Sequence, residues 1–222
     1  METASEHRES QFEQVDLGRL TPTYVAGKRC FDIIASLAGL ILLSGVFLII
    51  ALLIKVDDPH GRVFYSQTRL GKNSQKFQMW KFRSMVNNAD KLVDKLLQKN
   101  EVKGAMFKIK NDPRITRVGR VLRKYSLDEL PQLYNVLRGD MSLVGPRPPL
   151  PREVVNYTAY DRQRLEVIPG CTGLWQISGR SDLGFSEMVA LDIQYINNAC
   201  FSQDFKILLR TVLVVIHPSG AY

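Results

Sequence analysis

The longest apolar run in the chain covers residues 33–54, which are 22 residues without a charge. A helix rises about 1.5 Å per residue, so such a helix would reach roughly 33 Å, close to the ~30 Å hydrocarbon core of a bilayer. A buried core helix would be unusual without any polar face. Basic residues flank both ends, so the positive-inside rule selects no orientation. The run alone favours a spanning membrane helix, and Ser44-Gly45 near its middle is where a bend would return it to the same side.

Alternation of polar and apolar residues predicts a β-hairpin farther along the chain. The segments 63–67 and 77–82 alternate and flank the turn sequence Gly71-Lys72-Asn73-Ser74. The second strand would carry Lys81 and Arg83 two residues apart and therefore on one face. Two cations on one face could contact a phosphate, although most such pairs are simply solvated.

Two later segments have helical periodicity. Asp112-Pro113 predicts an N-cap and a first helical residue, after which apolar positions share one face and arginines recur at every third position. These arginines are Arg114, Arg117, Arg120 and Arg123. A basic amphipathic helix suits an anionic membrane surface, and an ordinary surface helix fits the pattern equally well. Residues 201–216 form a second amphipathic stretch, either core or interfacial.

Charge is distributed unevenly along the chain. Residues 1–18 hold five acidic residues and one arginine, so the remainder carries +12 although the whole chain carries +8. Residues 1–22 lack periodicity, and we expect a flexible acidic tail there. The basic remainder should attract anions. Nucleic acid is not the expected partner, because the sequence has no recognition motif in which aromatic and basic residues alternate. The three cysteines are too scattered for a disulfide framework or a zinc site.

The most informative residues are two adjacent carboxylates, Asp128 and Glu129, in this basic body. Ser126 and Glu129 have the spacing of a capping box, so both acids could merely favour a helix N-terminus. Pro131 argues against Ser126 as the cap, because it would then disturb the first full turn. If Asp128 is the cap, Pro131 falls at the third helical position, where it does not disturb the helix. The Asp128 carboxylate would then accept a hydrogen bond from the backbone and would not be free to react. For phosphoryl transfer, an Asp can form an acyl phosphate while a neighbouring Glu holds Mg²⁺ or handles a proton.

Two loops rich in glycine and proline follow the acidic pair. Residues 145–149 contain too many prolines for a helix or a central strand, which predicts a rigid loop that presents Arg147. Residues 169–180 predict a tight loop, a short strand and a second presented arginine, Arg180. Trp175 within this segment could stack on a base or sugar, although a core or interfacial tryptophan is the more common outcome.

These motifs resemble those of the bacterial sugar transferases, the monotopic polyprenyl-phosphate phosphoglycosyl transferases that begin the assembly of surface glycans. The resemblance covers nearly everything from Lys28 onward. It rests on residues 28–32 before the apolar run, residues 64–71, residues 80–85, the long block 126–148, and residues 169–180.

The resemblance implies a transfer of sugar 1-phosphate from a UDP-sugar to undecaprenyl phosphate, with release of UMP and a requirement for Mg²⁺. It implies that Asp128 is the nucleophile and Glu129 its partner carboxylate, with both acids near the metal. Lys81, Arg123, Arg147 and Arg180 match positions that bind phosphates. The closing segments resemble members that use UDP-glucose or UDP-galactose, and an N-acetylated or diamino sugar stays open as the alternative. The pathway implied by the resemblance is exopolysaccharide, capsule or O-antigen (lipopolysaccharide) synthesis.

The implied fold is α+β and predominantly helical, with a re-entrant N-terminal membrane helix, interfacial amphipathic helices and a small β-hairpin at the active site. Family members often carry Ser-Pro at the membrane bend, whereas this chain has Ser44-Gly45, which leaves re-entrant and spanning helices both open. We expect a tail over 1–22, an anchor over 23–56 and a cytoplasmic catalytic domain over 57–222. Larger members add a multi-span region, for which this sequence has no room, so we expect either a catalytic unit alone or the truncated catalytic unit of a longer protein.

The expected location is the bacterial inner membrane, in contact with its lipids, and a homodimer is expected from the resemblance. The alternative is a membrane-anchored scaffold that binds nucleotide or lipid without turnover. It would use the same basic patches, and its binding would survive the loss of both carboxylates.

Overall fold

The computed structural model describes residues 14–92, 112–179 and 183–216. This part of the chain is predominantly helical, as the resemblance implies, and contains the expected hairpin together with a second two-stranded sheet. The α-helices are α1 Pro22–Leu42, α2 Ser44–Asp57, α3 Arg117–Lys124, α4 Gln132–Arg138, α5 Pro151–Val154, α6 Ala159–Arg162, α7 Leu174–Ser178, α8 Phe185–Asn197 and α9 Phe201–Ile216. The strands are β1 Phe64–Leu70, β2 Lys76–Phe82, β3 Ser142–Val144 and β4 Gly170–Thr172.

The predicted hairpin is confirmed. Strands β1 and β2 pair antiparallel from Phe64 opposite Phe82 to Leu70 opposite Lys76. The turn between them places Asn73 and Ser74 at positive φ, a conformation that asparagine tolerates better than most residues. Because the pairing register is regular, Lys81 is fixed near the end of the hairpin, where β2 approaches the acidic turn.

The apolar run forms two helices instead of the one straight helix that the run alone favours. Among the described helices, none is by itself long and apolar enough to cross a bilayer, and α1 and α2 meet that requirement only as a pair bent by 58°. The break is at Leu43, next to the predicted Ser44-Gly45. A Cβ on Gly45 would meet no atom within 4 Å, so the bend does not depend on the small size of that residue.

The N-terminal half of α1 is fastened to the rest of the fold by polar contacts. Lys28 Nζ donates to Asp204 in α9 at 2.7 Å, and Arg29 donates to the carbonyls of Val136 and Leu137 at 2.6 and 2.8 Å. Those carbonyls lie at the C-terminus of α4, where orphan carbonyls favour a cation. The basic residues that flank the apolar run therefore hold the helix against the body.

The other end of the apolar pair packs against the hairpin. Ile50 and Ile54 of α2 form a buried cluster with Phe82 of β2 and Leu122 of α3. Leu127 and Leu130, on either side of the acidic pair, pack against the same cluster. The two helices thus dock on different surfaces, α1 on α4 and α2 on α3 and the hairpin, which accounts for the bend between them.

The basic helix begins later than the sequence predicts. Its first residue is Arg117 and its N-cap is Thr116, whose side chain accepts from Gly119 N, so the prediction of Asp112 as the cap is wrong. Tertiary pairing prevails over the local signal, because Ile115 bridges to Met85 and Thr116 N donates to Ser84 O. Asp112 instead pairs with Arg114, which is buried. The evenly spaced arginines therefore do not form one solvated stripe.

The second sheet joins the C-terminal helices to the centre of the fold. Strands β3 and β4 are parallel, and Val144 of β3 is buried with Tyr195, Ile196 and Ile207 of α8 and α9. Helix α9 covers the predicted range 201–216 and leaves its other face exposed. The exposed apolar residues on that face are Phe201, Phe205, Leu209, Val212, Leu213 and Ile216.

The described end of the predicted tail is attached to the body. Val15 N donates to Gln163 Oε1 and Asp16 N donates to Asn197 Oδ1, both at 2.7 Å. The short 3-10 turn Leu17–Arg19 then leads into α1. Residues 1–13 of the predicted tail lie outside the described ranges.

Candidate active site

The two carboxylates lie on a single 3-10 turn, Leu127–Glu129. Ser126 enters this turn with φ 54° in the left-handed region and makes no capping hydrogen bond, so the predicted capping box is absent. Pro131 lies directly before α4 and makes no side-chain cap. Both capping interpretations are therefore wrong, because the acids occupy a separate turn held by Leu127 and Leu130 and not the first turn of a longer helix.

Glu129 is held as an ionised carboxylate by cations. Lys81 Nζ donates to Glu129 Oε1 at 2.6 Å, and 31% of the Glu129 side chain is exposed. Burial alone would raise its pKa, but the charges of Lys81, Arg147 and Arg69 and the hydrogen bond from Lys81 lower the pKa of Glu129 to about 2. Glu129 is thus a fixed negative charge at any physiological pH.

Asp128 is in the opposite electrostatic situation although it is the adjacent residue. It is only 6% exposed. Burial raises the pKa of Asp128, Glu129 adds to this effect, and the charges of Lys81 and Arg123 oppose it. Two adjacent acids with diverging pKa values are typical of sites where one carboxylate reacts and the other binds.

Arg123 reaches the acidic turn from the last turn of α3. Its Nε donates to Ser84 Oγ at 2.9 Å, and its charge acts on Asp128. The close approach of α3 to residue 84 requires a glycine, since a Cβ on Gly119 would lie 2.0 Å from Ser84 O. Ser84 and Gly119 therefore position Arg123 at the site, and the sequence analysis did not identify this role.

Arg147 lies on the predicted rigid loop between β3 and α5. Its guanidinium lies 6.0 Å from the centroid of the Trp175 ring, a distance typical of a cation–π contact. Its backbone carbonyl accepts from Arg164 at 3.3 Å. Trp175 is buried in α7, so this tryptophan is a core residue that also supports the loop.

Arg69 is a further cation that sequence reasoning missed. It is 6% exposed, and its guanidinium donates to Pro148 O at 3.1 Å and to Gln67 Oε1 at 3.0 Å. Burial, followed by the nearby charge of Arg147, lowers the pKa of Arg69 to about 10. An arginine inside a strand gives no local signal of this role, because Pro148, its partner in the Arg147 loop, lies 79 residues later.

The sequence analysis also missed Asn135 in α4, the helix that follows the acidic turn. Asn135 joins this helix to β2, the strand that carries Lys81. It is fully buried. Its Oδ1 accepts from Trp80 N at 2.9 Å, and its Nδ2 donates to Gln78 O at 2.7 Å. The amide therefore takes the place of a neighbouring strand and sets the distance between Lys81 and the acids.

One arginine from the sequence analysis does not enter this constellation, and another is not among the described residues. Arg83 pairs with Asp58 and donates to Arg62 O, so it holds the end of α2 and not the acidic turn. Arg180 lies outside the described residues. The structure thus brings together Asp128, Glu129, Lys81, Arg123 and Arg147.

Among the described residues, a metal site at the acidic pair would have the carboxylates of Asp128 and Glu129 as its protein donors. Across 14–92, 112–179 and 183–216, no three His, Cys, Asp or Glu side chains cluster as a metal-binding group. Mg²⁺ typically keeps several waters and binds through one or two carboxylates together with substrate phosphates. The two oxygen-bearing side chains fit a magnesium site of that kind, completed by a phosphorylated substrate.

The sequence is similar to proteins of known family. The sequence profile described as bacterial sugar transferase matches residues 23–218. The galactosyl transferase CpsE of Streptococcus agalactiae is 45% identical over 90% of this chain and 44% of its own length. The exopolysaccharide production protein ExoY of Rhizobium meliloti is 43% identical over 93% of both chains.

The undecaprenyl-phosphate galactose phosphotransferase of Salmonella typhimurium is 46% identical over 88% of this chain and 41% of its own length. The chain thus spans less than half the length of two of these relatives and nearly all of ExoY. The chain belongs to the bacterial sugar transferase family.

Proposed function

We propose that this protein is a phosphoglycosyl transferase that moves a sugar 1-phosphate from a UDP-sugar to undecaprenyl phosphate. The observation that carries this proposal is the pair Asp128 and Glu129, one buried and one ionised, beside Lys81 and Arg123 in a member of the sugar transferase family. Relatives named for a lipid carrier and for undecaprenyl phosphate support the choice of acceptor.

The proposed chemistry has two displacements at one phosphorus atom. A carboxylate oxygen of Asp128 attacks the phosphorus that bears the sugar, a P–O bond to the leaving phosphate breaks, and UMP departs with the electron pair. A phosphate oxygen of undecaprenyl phosphate then attacks the same phosphorus and frees the Asp128 carboxylate. The burial of Asp128 would keep water from the acyl phosphate between the two steps.

The remaining side chains bind and orient. Arg123 and Arg147 would bind the non-bridging phosphate oxygens, where positive charge stabilises the transition state. Lys81 holds Glu129 in place. Asp128 and Glu129 would hold Mg²⁺ together with the donor phosphates, and the ion would supply charge neutralisation for the leaving nucleotide. Arg180 stays a predicted phosphate-binding residue.

We further propose that α1 and α2 enter the inner membrane as a re-entrant pair, with the catalytic body in the cytoplasm. Both ends of the pair contact the same body, Lys28 and Arg29 at one end and Ile50 and Ile54 at the other. A helix that crossed the bilayer would place those ends on opposite sides. The exposed apolar face of α9 would then lie at the lipid surface.

The donor is proposed to be UDP-galactose or UDP-glucose, for exopolysaccharide or capsule synthesis. Several relatives are named for galactose, and ExoY for exopolysaccharide production. A panel of UDP-sugars with undecaprenyl phosphate, assayed for UMP release, would rank the donors. The predicted homodimer stays a prediction.

The test of the proposed function is UMP release by the protein in lipid nanodiscs, with UDP-galactose, UDP-glucose, undecaprenyl phosphate and Mg²⁺. We expect turnover in the native chain and its abolition by Asp128→Asn, which keeps the size of the side chain. Undiminished release from Asp128→Asn would refute the nucleophile. No turnover with any UDP-sugar, together with nucleotide binding that survives loss of both acids, would favour the scaffold.

A further inference from the structure

A cavity of about 130 Å³ lies behind the Arg147 loop. Its wall holds four arginines and one acid: Arg69, Arg147, Arg152, Arg164 and Glu153. One of these cations, Arg164, is neutralised by the buried carboxylate of Asp192 in α8. The wall keeps an excess of positive charge, so an anion is the favoured occupant.

Three buried donors in this wall lack a hydrogen-bond partner among the described residues. They are Arg69 Nε, Arg164 Nε and Trp175 Nε1, and each residue is at most 7% exposed. Buried polar groups in proteins are nearly always satisfied. Asp192, the ion-pair partner of Arg164, also has oxygens without a hydrogen bond, so Arg69 and Trp175 are the stronger signs of a missing ligand. Guanidinium and indole nitrogens only donate, so a ligand that satisfied them would bring acceptors, as phosphate and carbonyl oxygens do.

The rest of the wall is apolar and partly aromatic. Tyr157 and Phe185 lie with ring centroids 5.3 Å apart, and Met188 and the Trp175 ring complete this side. A flat ring with carbonyl acceptors would contact these side chains favourably. The combination of a cationic half and an aromatic half is suited to a nucleotide and not to a bare inorganic ion.

The cavity adjoins the acidic pair through its arginines. Arg69 and Arg147 line the cavity and also lower the pKa of Glu129. Arg164 donates to the Arg147 carbonyl and to the Tyr157 hydroxyl, so it links the cavity floor to the loop. A molecule bound here would extend from the cavity toward Asp128.

We propose that this cavity binds the nucleoside monophosphate half of the donor, which is the half that leaves as UMP. The proposal rests on the proposed function, and it names the side chains that would recognise the leaving group. Arg69, Arg164 and Trp175 would donate to its oxygens, and the aromatic side would hold the pyrimidine ring.

The test is direct binding of UMP, uridine and inorganic phosphate to the protein in nanodiscs, measured by calorimetry. UMP should bind at least about tenfold more tightly than either fragment. Trp175→Phe keeps a ring beneath Arg147 but removes one donor, and should weaken UMP about tenfold, the usual effect of losing a hydrogen bond to a charged group. Trp80→Phe replaces the chain's other tryptophan and should leave the UMP affinity unchanged.

A second variant tests the charged half without disturbing the buried network. Arg152 is exposed on the cavity rim, so Arg152→Gln should fold normally, weaken UMP several-fold and leave uridine unchanged. Unchanged UMP affinity in both Trp175→Phe and Arg152→Gln would overturn the proposal. Phosphate binding as tight as UMP binding would overturn the nucleotide assignment and leave an anion site only.

UMP release from UDP-sugars, measured on the same preparations, separates this inference from the proposed function. Turnover with unaltered UMP affinity in both variants would refute only the nucleotide cavity. The predicted loss of UMP affinity without turnover on any UDP-sugar would refute only the transferase.

Discussion

The two sides of the acidic turn differ in how their cations are satisfied. On the side of the hairpin and α3, Lys81 pairs with Glu129 and Arg123 donates to Ser84. On the side of the Arg147 loop, Arg69 and Arg164 are buried and each keeps an Nε without a partner among the described residues. The cations of the first side are held by protein partners, whereas the second side keeps buried donors that a bound anion could satisfy.

This difference suggests that the two sides have different functions. Preorganised groups need no rearrangement when charge develops in a transition state, so the Lys81 side is suited to holding the reacting acids. On the side of the Arg147 loop, buried donors without a hydrogen bond carry a desolvation cost, and a bound anion would lower it. This side is therefore suited to substrate recognition. Trp175→Phe and Arg152→Gln test the second side, and the following predictions test the first side and the acids that it holds, from the largest expected effect to the smallest.

Among the groups that surround the two acids, the ammonium group of Lys81 should give the largest effect when it is removed. In Lys81→Met, Glu129 loses its partner and the acidic turn loses its nearest cation, so UMP release should fall about 100-fold, the scale of losing one charge-stabilising donor. Lys76→Met, on the same strand but exposed, is the matched control and should keep native activity. A Lys81→Met enzyme with a native rate would contradict the role of this side.

Displacing α3 should damage the same side by a different route. Gly119→Ala would place a methyl group against Ser84 O, which should move Arg123 and lower the rate of UMP release about tenfold. Gly45→Ala is the control, because its added methyl group meets open space. Equal activity and equal thermal stability of the two variants would show that the close contact at Gly119 is unimportant.

The pH dependence should separate the two carboxylates. Asp128 must be ionised to attack, and burial raises its pKa, so kcat/KM should fall with decreasing pH through a value above that of an ordinary aspartate. Glu129 has a pKa of about 2, so its titration should not affect kcat/KM in the pH range where Asp128 titrates. A profile that is flat down to the ordinary carboxyl range would contradict the burial of Asp128.

Stability should respond to Asp128 in the opposite direction from activity. An acid whose pKa is higher in the folded state binds its proton more tightly there, so its ionisation costs stability once the pH exceeds its unfolded pKa. Asp128→Asn removes that cost at neutral pH and should raise Tm by about 2–4 °C, equivalent to roughly 1 kcal/mol. A fall in Tm measured by differential scanning fluorimetry would show that the charge is stabilised by its neighbours.

Local patterns predicted the elements that local forces determine. The hairpin follows from alternation around Gly71-Lys72-Asn73-Ser74, and α9 follows from the periodicity of residues 201–216. The prediction of where α3 begins was wrong because Ile115 pairs with Met85, and this contact between distant segments overrides the Asp112-Pro113 signal.

The site was predictable in part for the same reason. Asp128 and Glu129 stand out because two acids occur together in a basic chain, and Arg147 because prolines surround it. Arg69 and Asn135 carry no local signal, since the contacts that tie them to the site reach Pro148, 79 residues from Arg69, and Trp80, 55 residues from Asn135. The left-handed Ser126 was also unpredictable, because only tertiary packing of Leu127 and Leu130 selects that turn.

The central claim is that Asp128 becomes covalently attached to the sugar phosphate. The most direct measurement is intact-protein mass spectrometry after incubation with UDP-galactose and Mg²⁺ in the absence of undecaprenyl phosphate. We predict a species heavier by one hexose phosphate, mapped to Asp128, that disappears when undecaprenyl phosphate is added and never forms in Asp128→Asn. Transfer to the lipid with no such species at any time point, or the same added mass in Asp128→Asn, would contradict the account.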